Sequence, residues 1–269
     1  MCITLEPAKL SKTKILSFRK DDGNHILAYA NKVKNTSGKP NAMILPVPGT
    51  LSSGMFYNTK DYNNFLDDIE KVITPRTRGL SMTKGISIGV EDFTLGMYRI
   101  LISKNIYSIK EVLDSMGDDE RPELSEDMYN FFATNYDSWS FVICCFQGDK
   151  EISAQPIMFE YVPFDPNILY FPGVDAHNGN APVLGENVDV DHTLMTVDLY
   201  AYRSNYKVDN IFSQKEKLPV FLLNHYAGIQ LDDTLPNGDW YLDIRDIIYD
   251  PINRQSFERL QTYPGQINL

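Results

Sequence analysis

The stretch Asn41-Ala42-Met43-Ile44-Leu45-Pro46-Val47-Pro48-Gly49 is an apolar run that ends in two prolines one residue apart. Proline has no backbone N–H to donate to a neighbouring strand, so a strand tolerates it only where that donor is not needed. The run therefore predicts a strand whose prolines lie at a sheet edge or at the strand exit, with Gly49 releasing the chain. This constraint concerns architecture and does not specify a reaction.

Further strands are predicted on both sides of this stretch. Residues 12–31 form a predicted hairpin around Asp21-Asp22-Gly23-Asn24, because Asp-Gly suits tight turns. With residues 42–47, it would make a meander of three antiparallel strands. Residues 139–146 are almost continuously apolar, which is typical of a strand covered on both faces. Additional strands are predicted at residues 157–162, 168–171, 193–202, 218–223 and 240–244.

The middle of the chain has the apolar spacing of helices. Apolar residues recur every three or four positions in segments beginning at Asp61, Ser108 and Ser125. Ser108 with Glu111 matches a capping box. These patterns predict an α+β fold, in which a single domain spans residues 1–269. Its antiparallel β-rich core is sandwich-like, with a helical insertion at about residues 60–136.

Composition and charge limit the partners. The chain has 269 residues, a formal net charge of -11 and sixteen tyrosines. A negative background field repels phosphate backbones, so no nucleic-acid partner is predicted. The basic segment Thr74–Gly79, with Lys84 nearby, is interpreted as a solvated loop. The acidic composition, rich in Asn, Lys and Tyr, fits a bacterial or phage-encoded protein.

The cysteines and the start of the chain indicate a reducing compartment. The three cysteines, Cys2, Cys144 and Cys145, give an odd count, and the adjacent pair would point to opposite faces of a strand. The start has neither the basic lead nor the apolar run of a secretory signal. No apolar segment approaches the roughly 18 residues of a membrane span. A cytoplasmic protein without a membrane segment is therefore expected.

Five motifs occur in one order: the hairpin, the Asn41–Pro48 strand, Thr74-Pro75-Arg76, the Trp139–Ile143 run and the segment Gln155–Tyr161. This order, over about residues 12–165, resembles an uncharacterised, mostly exported bacterial family, a domain of unknown function. Its members carry a Phe-Ala-x-Val-x-Pro-Val-Pro strand and a later Leu-x-Pro-Leu-x-Phe-x-Tyr strand. The resemblance implies no activity, and the chain departs from the family by lacking its export signal and Cys-rich start.

Cys2 is a candidate nucleophile. If Met1 is removed, the thiol of Cys2 lies beside its own α-amine, which can serve as the base. This resembles the N-terminal-nucleophile amidohydrolases of the bile-salt and penicillin acylase type. Those enzymes place an Arg and an Asp beside the thiol, and Arg19 and Asp21 are the local stand-ins here.

Acidic and imidazole side chains concentrate between residues 175 and 192. Asp175 and His177 are followed by Asp189, Asp191 and His192. Carboxylates and imidazoles at alternating positions of an extended segment would face one side and could hold a divalent cation. The sequence thus predicts a candidate metal site, used in binding or in hydrolysis. The alternative is a set of solvated turns with no cofactor.

The leading interpretation is a non-enzymatic interaction or structural protein. Each catalytic template lacks a partner residue, while an acidic surface with many tyrosines offers contact area with polar tips. Protein partners are therefore expected. The Cys2 amidohydrolase is the first alternative, and the divalent-metal protein is the second.

Overall fold

The structure is a computed structural model that describes residues 3–73, 93–199, 212, 215–248 and 252–260. Within these residues, the α-helices are α1 (Phe65–Ile73), α2 (Ile109–Asp114) and α3 (Glu126–Asn135). The strands are β1 (Ile3–Thr4), β2 (Ala8–Arg19), β3 (His25–Asn35), β4 (Asn41–Val47), β5 (Gly49–Thr50), β6 (Phe56–Tyr57), β7 (Phe93–Leu95), β8 (Tyr98–Ser103), β9 (Ser140–Phe146), β10 (Ile152–Ser153), β11 (Ile157–Pro163), β12 (Ile168–Phe171), β13 (Asn187–Val197), β14 (Tyr226–Pro236), β15 (Asp239–Asp243) and β16 (Glu258–Leu260).

The strands form three sheets, which confirms the α+β, β-rich class. Sheet 1 has the order β1-β4-β9-β8-β7, and sheet 2 has the order β14-β13-β2-β3-β11-β5. In sheet 2, β10 also pairs with β3 and β6 pairs with β11; sheet 3 has the order β12-β15-β16. The pairing is antiparallel except between β13 and β2, which run parallel. The expected meander is wrong: β4 does not continue the β2–β3 hairpin but pairs with β9 in sheet 1.

The two large sheets pack face to face, and helices cover their outer faces. Strand β9 shows this alternation, because Val142 and Cys144 enter the core between the sheets while Ile143 and Cys145 face the helices. The helix side of sheet 1 is covered by α2 and α3, and the outer side of sheet 2 by α1. Sheet 3 contributes side chains to the core between the two large sheets and to the core between sheet 1 and its helices. The layers are therefore helix, sheet, sheet and helix, and β9 is buried on both faces as its sequence predicts.

The two prolines mark the point at which the chain passes between the large sheets. The N–H of Leu5 donates to the carbonyl of Ala42 at 3.0 Å, so the even-numbered residues of β4 face β1. Pro46 therefore directs its missing donor away from β9, on the side where no described strand pairs with it. After Pro48 the chain enters β5, which pairs with β11 of sheet 2. The predicted strand exit is confirmed as a sheet-to-sheet crossing.

Three predicted helices are present, with different starts. The first begins at Phe65 after a short 3-10 turn, and Ser125 caps α3 by accepting from the N–H of Met128 at 3.3 Å. The capping box at Ser108 is wrong, because the Asn105 side chain accepts from the Ser108 N–H at 3.0 Å and a 3-10 turn precedes α2. None of the described helices is both long and apolar enough to cross a membrane.

Two stretches differ from their predicted structure. Strand β8 lies inside the expected helical insertion, where it pairs with β9. Instead of a strand at residues 218–223, Val220–Leu222 form a 3-10 helix, because Pro219 precedes this turn with φ of -55° and Phe221 packs on Phe18. The basic segment at residues 74–79, which contains Pro75, and the end of the predicted 193–202 strand lie outside the described residues.

We expect Gly49→Ala to destabilise the protein by about 2 kcal/mol or more, because overpacking against backbone has few ways to relax. A Cβ at Gly49 would lie 2.0 Å from the carbonyl oxygen of Val162. Urea denaturation measures the change in the free energy of unfolding. Gly54→Ala is the matched control, since a Cβ at Gly54 meets nothing within 4 Å. Equal midpoints for the two variants would contradict the prediction.

Candidate interaction surface

Asp175 and His177 lie together beside the first strand. The Nε2 of His177 is 2.5 Å from Oδ1 of Asp175, and the two residues flank Ala176. The carbonyl of Ala176 accepts from the N–H of Thr4 at 3.0 Å. The predicted proximity of this carboxylate and this imidazole is therefore observed, on an extended segment that lines β1.

The other residues of the predicted metal site lie elsewhere, on both faces of β13. Asp189 and Asp191 are exposed on the outer face, whereas His192 is 2% exposed and points to the opposite face. No group of three or more His, Cys, Asp or Glu in position to hold a metal occurs among the described residues. The metal site stays a prediction.

Arg19 and Asp21, the residues predicted to lie beside the Cys2 thiol, are both exposed at the end of the β2–β3 hairpin. Arg19 is exposed at the end of β2, where its guanidinium is 3.5 Å from the side-chain oxygen of Asn167. Asp21 is exposed in the β2–β3 turn. Cys2 lies outside the described residues, so its role as a nucleophile stays a prediction.

The tyrosines of the described residues are mainly internal. Tyr107 is 64% exposed, while Tyr57 and Tyr129 are half-buried. The buried ones are Tyr29, Tyr62, Tyr98, Tyr136, Tyr161, Tyr170, Tyr226 and Tyr241. For these residues, the expectation of a tyrosine-rich surface is wrong, because most of the aromatic residues counted in the composition fill the cores.

Two exposed aromatic rings are attached to the turn after α3. Phe164 is 47% exposed, and its ring packs edge-on against the buried ring of Trp139 with 6.2 Å between centroids. The hydroxyl of Tyr107 donates to Asp137 at 2.5 Å. Because Asp137 and Trp139 belong to the same turn, we call Tyr107 and Phe164 the aromatic patch. The sequence offered no signal for it, since exposure of a Phe depends on the tertiary packing.

Phe164 of the aromatic patch is held in place by backbone pairing and by the ring of Trp139. The N–H of Phe164 donates to the carbonyl of Pro48 at 3.0 Å, and the preceding Pro163 pairs with Gly49. Beneath it, Trp139 contacts Tyr136 and Tyr170 with ring centroids 4.9 and 5.2 Å away. The edge-on aromatic contact and the backbone hydrogen bond leave the Phe164 side chain little conformational freedom.

Asp239 anchors the loop that carries Asp175. Its Oδ1 accepts from the N–H groups of Gly173 and Val174 at 2.6 and 3.1 Å, and its Oδ2 accepts from the Tyr136 hydroxyl at 2.7 Å. Burial raises the pKa of Asp239, and these donors oppose the rise. The adjacent Asn237 pairs with both backbone groups of Asp175 at 2.8 Å. This carboxylate therefore has a structural role.

Glu160 ties the β2–β3 turn to β6. It accepts from Lys20 and Tyr57 at 2.7 Å and from Asn24 at 2.6 Å. Burial alone would raise the pKa of Glu160, but the three donors outweigh it and leave the pKa below its usual value. Burial, followed by the hydrogen bond to Glu160, raises the pKa of Tyr57 to about 12. All four groups are satisfied by one another, as in a structural network.

His25 is a buried neutral imidazole. It is 0% exposed, and its Nε2 lies 3.0 Å from the carbonyl of Pro166, which can only accept. Its Nδ1 lies 3.4 Å from the hydroxyl of Tyr161. Burial lowers the pKa of His25 to about 4, against the opposing hydrogen bond to Pro166.

We expect the stability to fall as the pH decreases from about 6.5 to about 4. The pKa of His25 is about 4 when folded and 6.5 in its ordinary state, so between these values the unfolded chain binds more protons. The loss is on the order of 3 kcal/mol at its limit, because each pKa unit corresponds to about 1.4 kcal/mol. Denaturant unfolding at a series of pH values measures it.

His25→Gln removes the titration and retains a donor for Pro166, so its stability should depend less steeply on pH in this window. His225→Gln, a half-buried histidine before β14, is the matched control. If His25→Gln and the unchanged protein have parallel stability profiles between pH 4 and 6.5, the assignment to His25 fails.

The chain matches no family model and no curated protein sequence. Among solved structures it is similar to the crystal structure of baculovirus P35, with 14% identity over 95% of this chain and 93% of that chain and a TM-score of 0.46. A mutated baculovirus P35 after caspase cleavage aligns at 12% identity over 93% of this chain and 85% of that chain, with a TM-score of 0.41. The caspase-8/P35 complex aligns at 13% identity over 94% and 92%, with a TM-score of 0.38.

Proposed function

We propose that this chain is a non-enzymatic protein that acts by binding another protein, with Phe164 as the anchor of the contact. The observation that carries the proposal is the half-exposed ring of Phe164, fixed on Trp139 and on the Pro48 carbonyl. Aromatic side chains are enriched at protein interfaces, where a few residues supply most of the binding energy. Since burying a whole Phe gains about 1.5–3 kcal/mol, covering the exposed half gains about 1 kcal/mol.

The charges around the aromatic patch define the partner's chemistry. Asp137 and Asp165 lie beside Tyr107 and Phe164, and the whole chain carries a net charge of -11. Complementary potentials steer association and reject like-charged surfaces. The proposal therefore expects an apolar pocket on the partner that is rimmed by basic groups.

We expect Phe164→Asp to abolish binding of the partner while the protein stays folded. Replacing the ring removes the anchor and places a charge where the partner must desolvate the surface. Proteins captured from host extract by the unchanged chain and by the variant are compared by quantitative mass spectrometry. Val183→Asp is the matched control, because Val183 is 59% exposed and lies elsewhere in the chain.

A true partner is captured by the unchanged chain and by Val183→Asp, and lost with Phe164→Asp. Purified caspase-8 is a defined probe for the same three proteins, because a solved complex pairs it with P35. Caspase-8 serves in this experiment only as a test protein. If every captured protein binds Phe164→Asp as well as it binds the unchanged chain, Phe164 is not the anchor.

One observation favours a second function, the Cys2 amidohydrolase. The Asp175–His177 pair lies beside β1, the strand that follows Cys2 in the sequence. A carboxylate that orients an imidazole is the arrangement that activates a thiol nucleophile. Under that function the α-amine of Cys2 is still the base, and this pair, rather than Arg19 and Asp21, would supply the polar side chains beside the thiol.

Under this second function, His177→Gln should slow acylation of the protein by a thiol-reactive acyl probe about 100-fold, the lower limit for loss of a side chain that assists proton transfer beside the thiol. Cys2→Ala should abolish acylation. Intact mass spectrometry follows the reaction and shows whether Met1 is present. Retained Met1, or equal acylation of Cys2→Ala and the unchanged protein, ends the amidohydrolase proposal.

A further inference from the structure

Strand β14 forms one edge of sheet 2. It pairs with β13 over its full length, from Tyr226 opposite Val197 to Pro236 opposite Asn187, with no shift of register. Within the residues that the structure describes, no strand pairs with its other side. A straight edge of this length presents a row of backbone donors and acceptors to an extended chain.

The pairing identifies which backbone groups of β14 face outward. The N–H of Asp198 donates to the carbonyl of His225 at 2.9 Å, so this pair is a hydrogen-bonded pair of the antiparallel ladder. Alternation then turns every second residue of β14 inward and the others outward. The outward residues are Tyr226, Gly228, Gln230, Asp232 and Thr234. The Thr234 N–H confirms the assignment, because it bonds to the Asp233 side chain at 3.0 Å and not to β13.

The side chains along this edge differ on its two faces. Asp232 is exposed and lies directly opposite Asp191, so one face of the edge is acidic. On the other face, Ile229 and Leu235 are partly buried against the core between the sheets. Between them, Asp233 is paired with Arg254 at 3.1 Å. An added strand would therefore meet negative charge on one face and apolar surface on the other.

Sheet edges are normally protected by lysine, proline or a bulge. Residues Gly228–Leu235 contain neither lysine nor proline, and their register with β13 is continuous. The charges on this edge are negative, on a chain with a net charge of -11. Repulsion between like charges disfavours a second copy of the chain at this edge, whereas a basic strand would be attracted.

We propose that the outer edge of β14 binds an extended basic segment of a partner protein by strand addition. Lysine or arginine of that segment lies opposite Asp232, and apolar residues at alternate positions cover Ile229 and Leu235. The main-chain hydrogen bonds come from Gly228, Gln230 and Asp232. This surface goes beyond the aromatic patch and is independent of it, so either one can fail alone.

The test uses an eight-residue peptide in which lysine and valine alternate, with a twin that has glutamate in place of lysine. A third peptide has alternate backbone nitrogens methylated, which removes the donors needed for strand addition. Hydrogen exchange followed by NMR reports on the amides of β14. With the lysine peptide, the outward amides of Gly228, Gln230 and Asp232 should become protected, while the inward amide of Leu231 should keep its exchange rate.

Asp232→Lys should weaken the lysine peptide about fivefold or more and favour the glutamate twin, because directly opposite charges contribute up to about 1 kcal/mol. Asp119→Lys is the matched control, since Asp119 is exposed in the loop after α2. Gln230→Pro removes one outward donor at an edge position that tolerates proline, and it should also weaken binding without unfolding the protein.

Three results would overturn the proposal. Equal binding of the lysine and glutamate peptides would remove the charge argument, and protection without alternation would remove strand addition. Sedimentation that shows a dimer, with the outward amides already protected without peptide, would make a second copy the occupant. None of these results depends on Phe164, so they leave the aromatic patch as a separate question.

Discussion

The close approach of Gly49 to the backbone of β11 is the constraint on which the arrangement of the two large sheets depends. A Cβ at this position would meet the carbonyl of Val162, so only glycine allows the two backbones to come together. The carbonyl of Gly49 also accepts a hydrogen bond from the Ser140 hydroxyl at 2.8 Å. One residue thus joins β9 of sheet 1 and β11 of sheet 2. Pro46 and Pro48, which both precede Gly49, suit this crossing, because the N–H group that each lacks is not needed where the chain leaves one sheet for the other.

The surface at this end of the molecule follows from the crossing. Since Pro48 presents its carbonyl to the N–H of Phe164, the chain after β11 is fixed where it leaves sheet 2. The Phe164 ring then rests on Trp139, which is itself packed among buried tyrosines. An exposed ring with so many constraints differs from a mobile hydrophobic side chain, because its conformational entropy is already lost in the free protein. Preorganisation, more than exposed area, makes this position suited to binding.

Short-range sequence patterns predicted individual strands and helices, but they could not predict which strands pair with each other. The apolar run 139–146 was enough to predict a strand buried on both faces. Successive side chains of a strand point to opposite faces, so a continuous apolar run means that both faces are covered. The partner of β4 could not be read in the same way, since the choice between β3 and β9 depends on how whole faces pack. For the candidate sites, a spacing of two residues predicted that Asp175 and His177 lie together. The pleat also implies that adjacent Asp191 and His192 face opposite sides, whereas the buried position of Asp239 has no local signal.

The aromatic patch and the β14 edge depend on different interactions, and Phe164 of the patch directly follows β11 of sheet 2. Four strand spacings separate β14 from β11 in the order of the sheet, which corresponds to about 19 Å at roughly 4.8 Å per spacing. In the proposed contact, the patch would bind through side chains that lose their water, so the partner would need a pocket that fits the Phe164 ring. In the proposed strand addition, the edge would bind through main-chain groups, so the partner segment must be extended and the charge of Asp232 would provide the specificity. Because salt screens exposed charges over about 8–10 Å, the charge-dependent part of either proposed contact would weaken as the ionic strength rises.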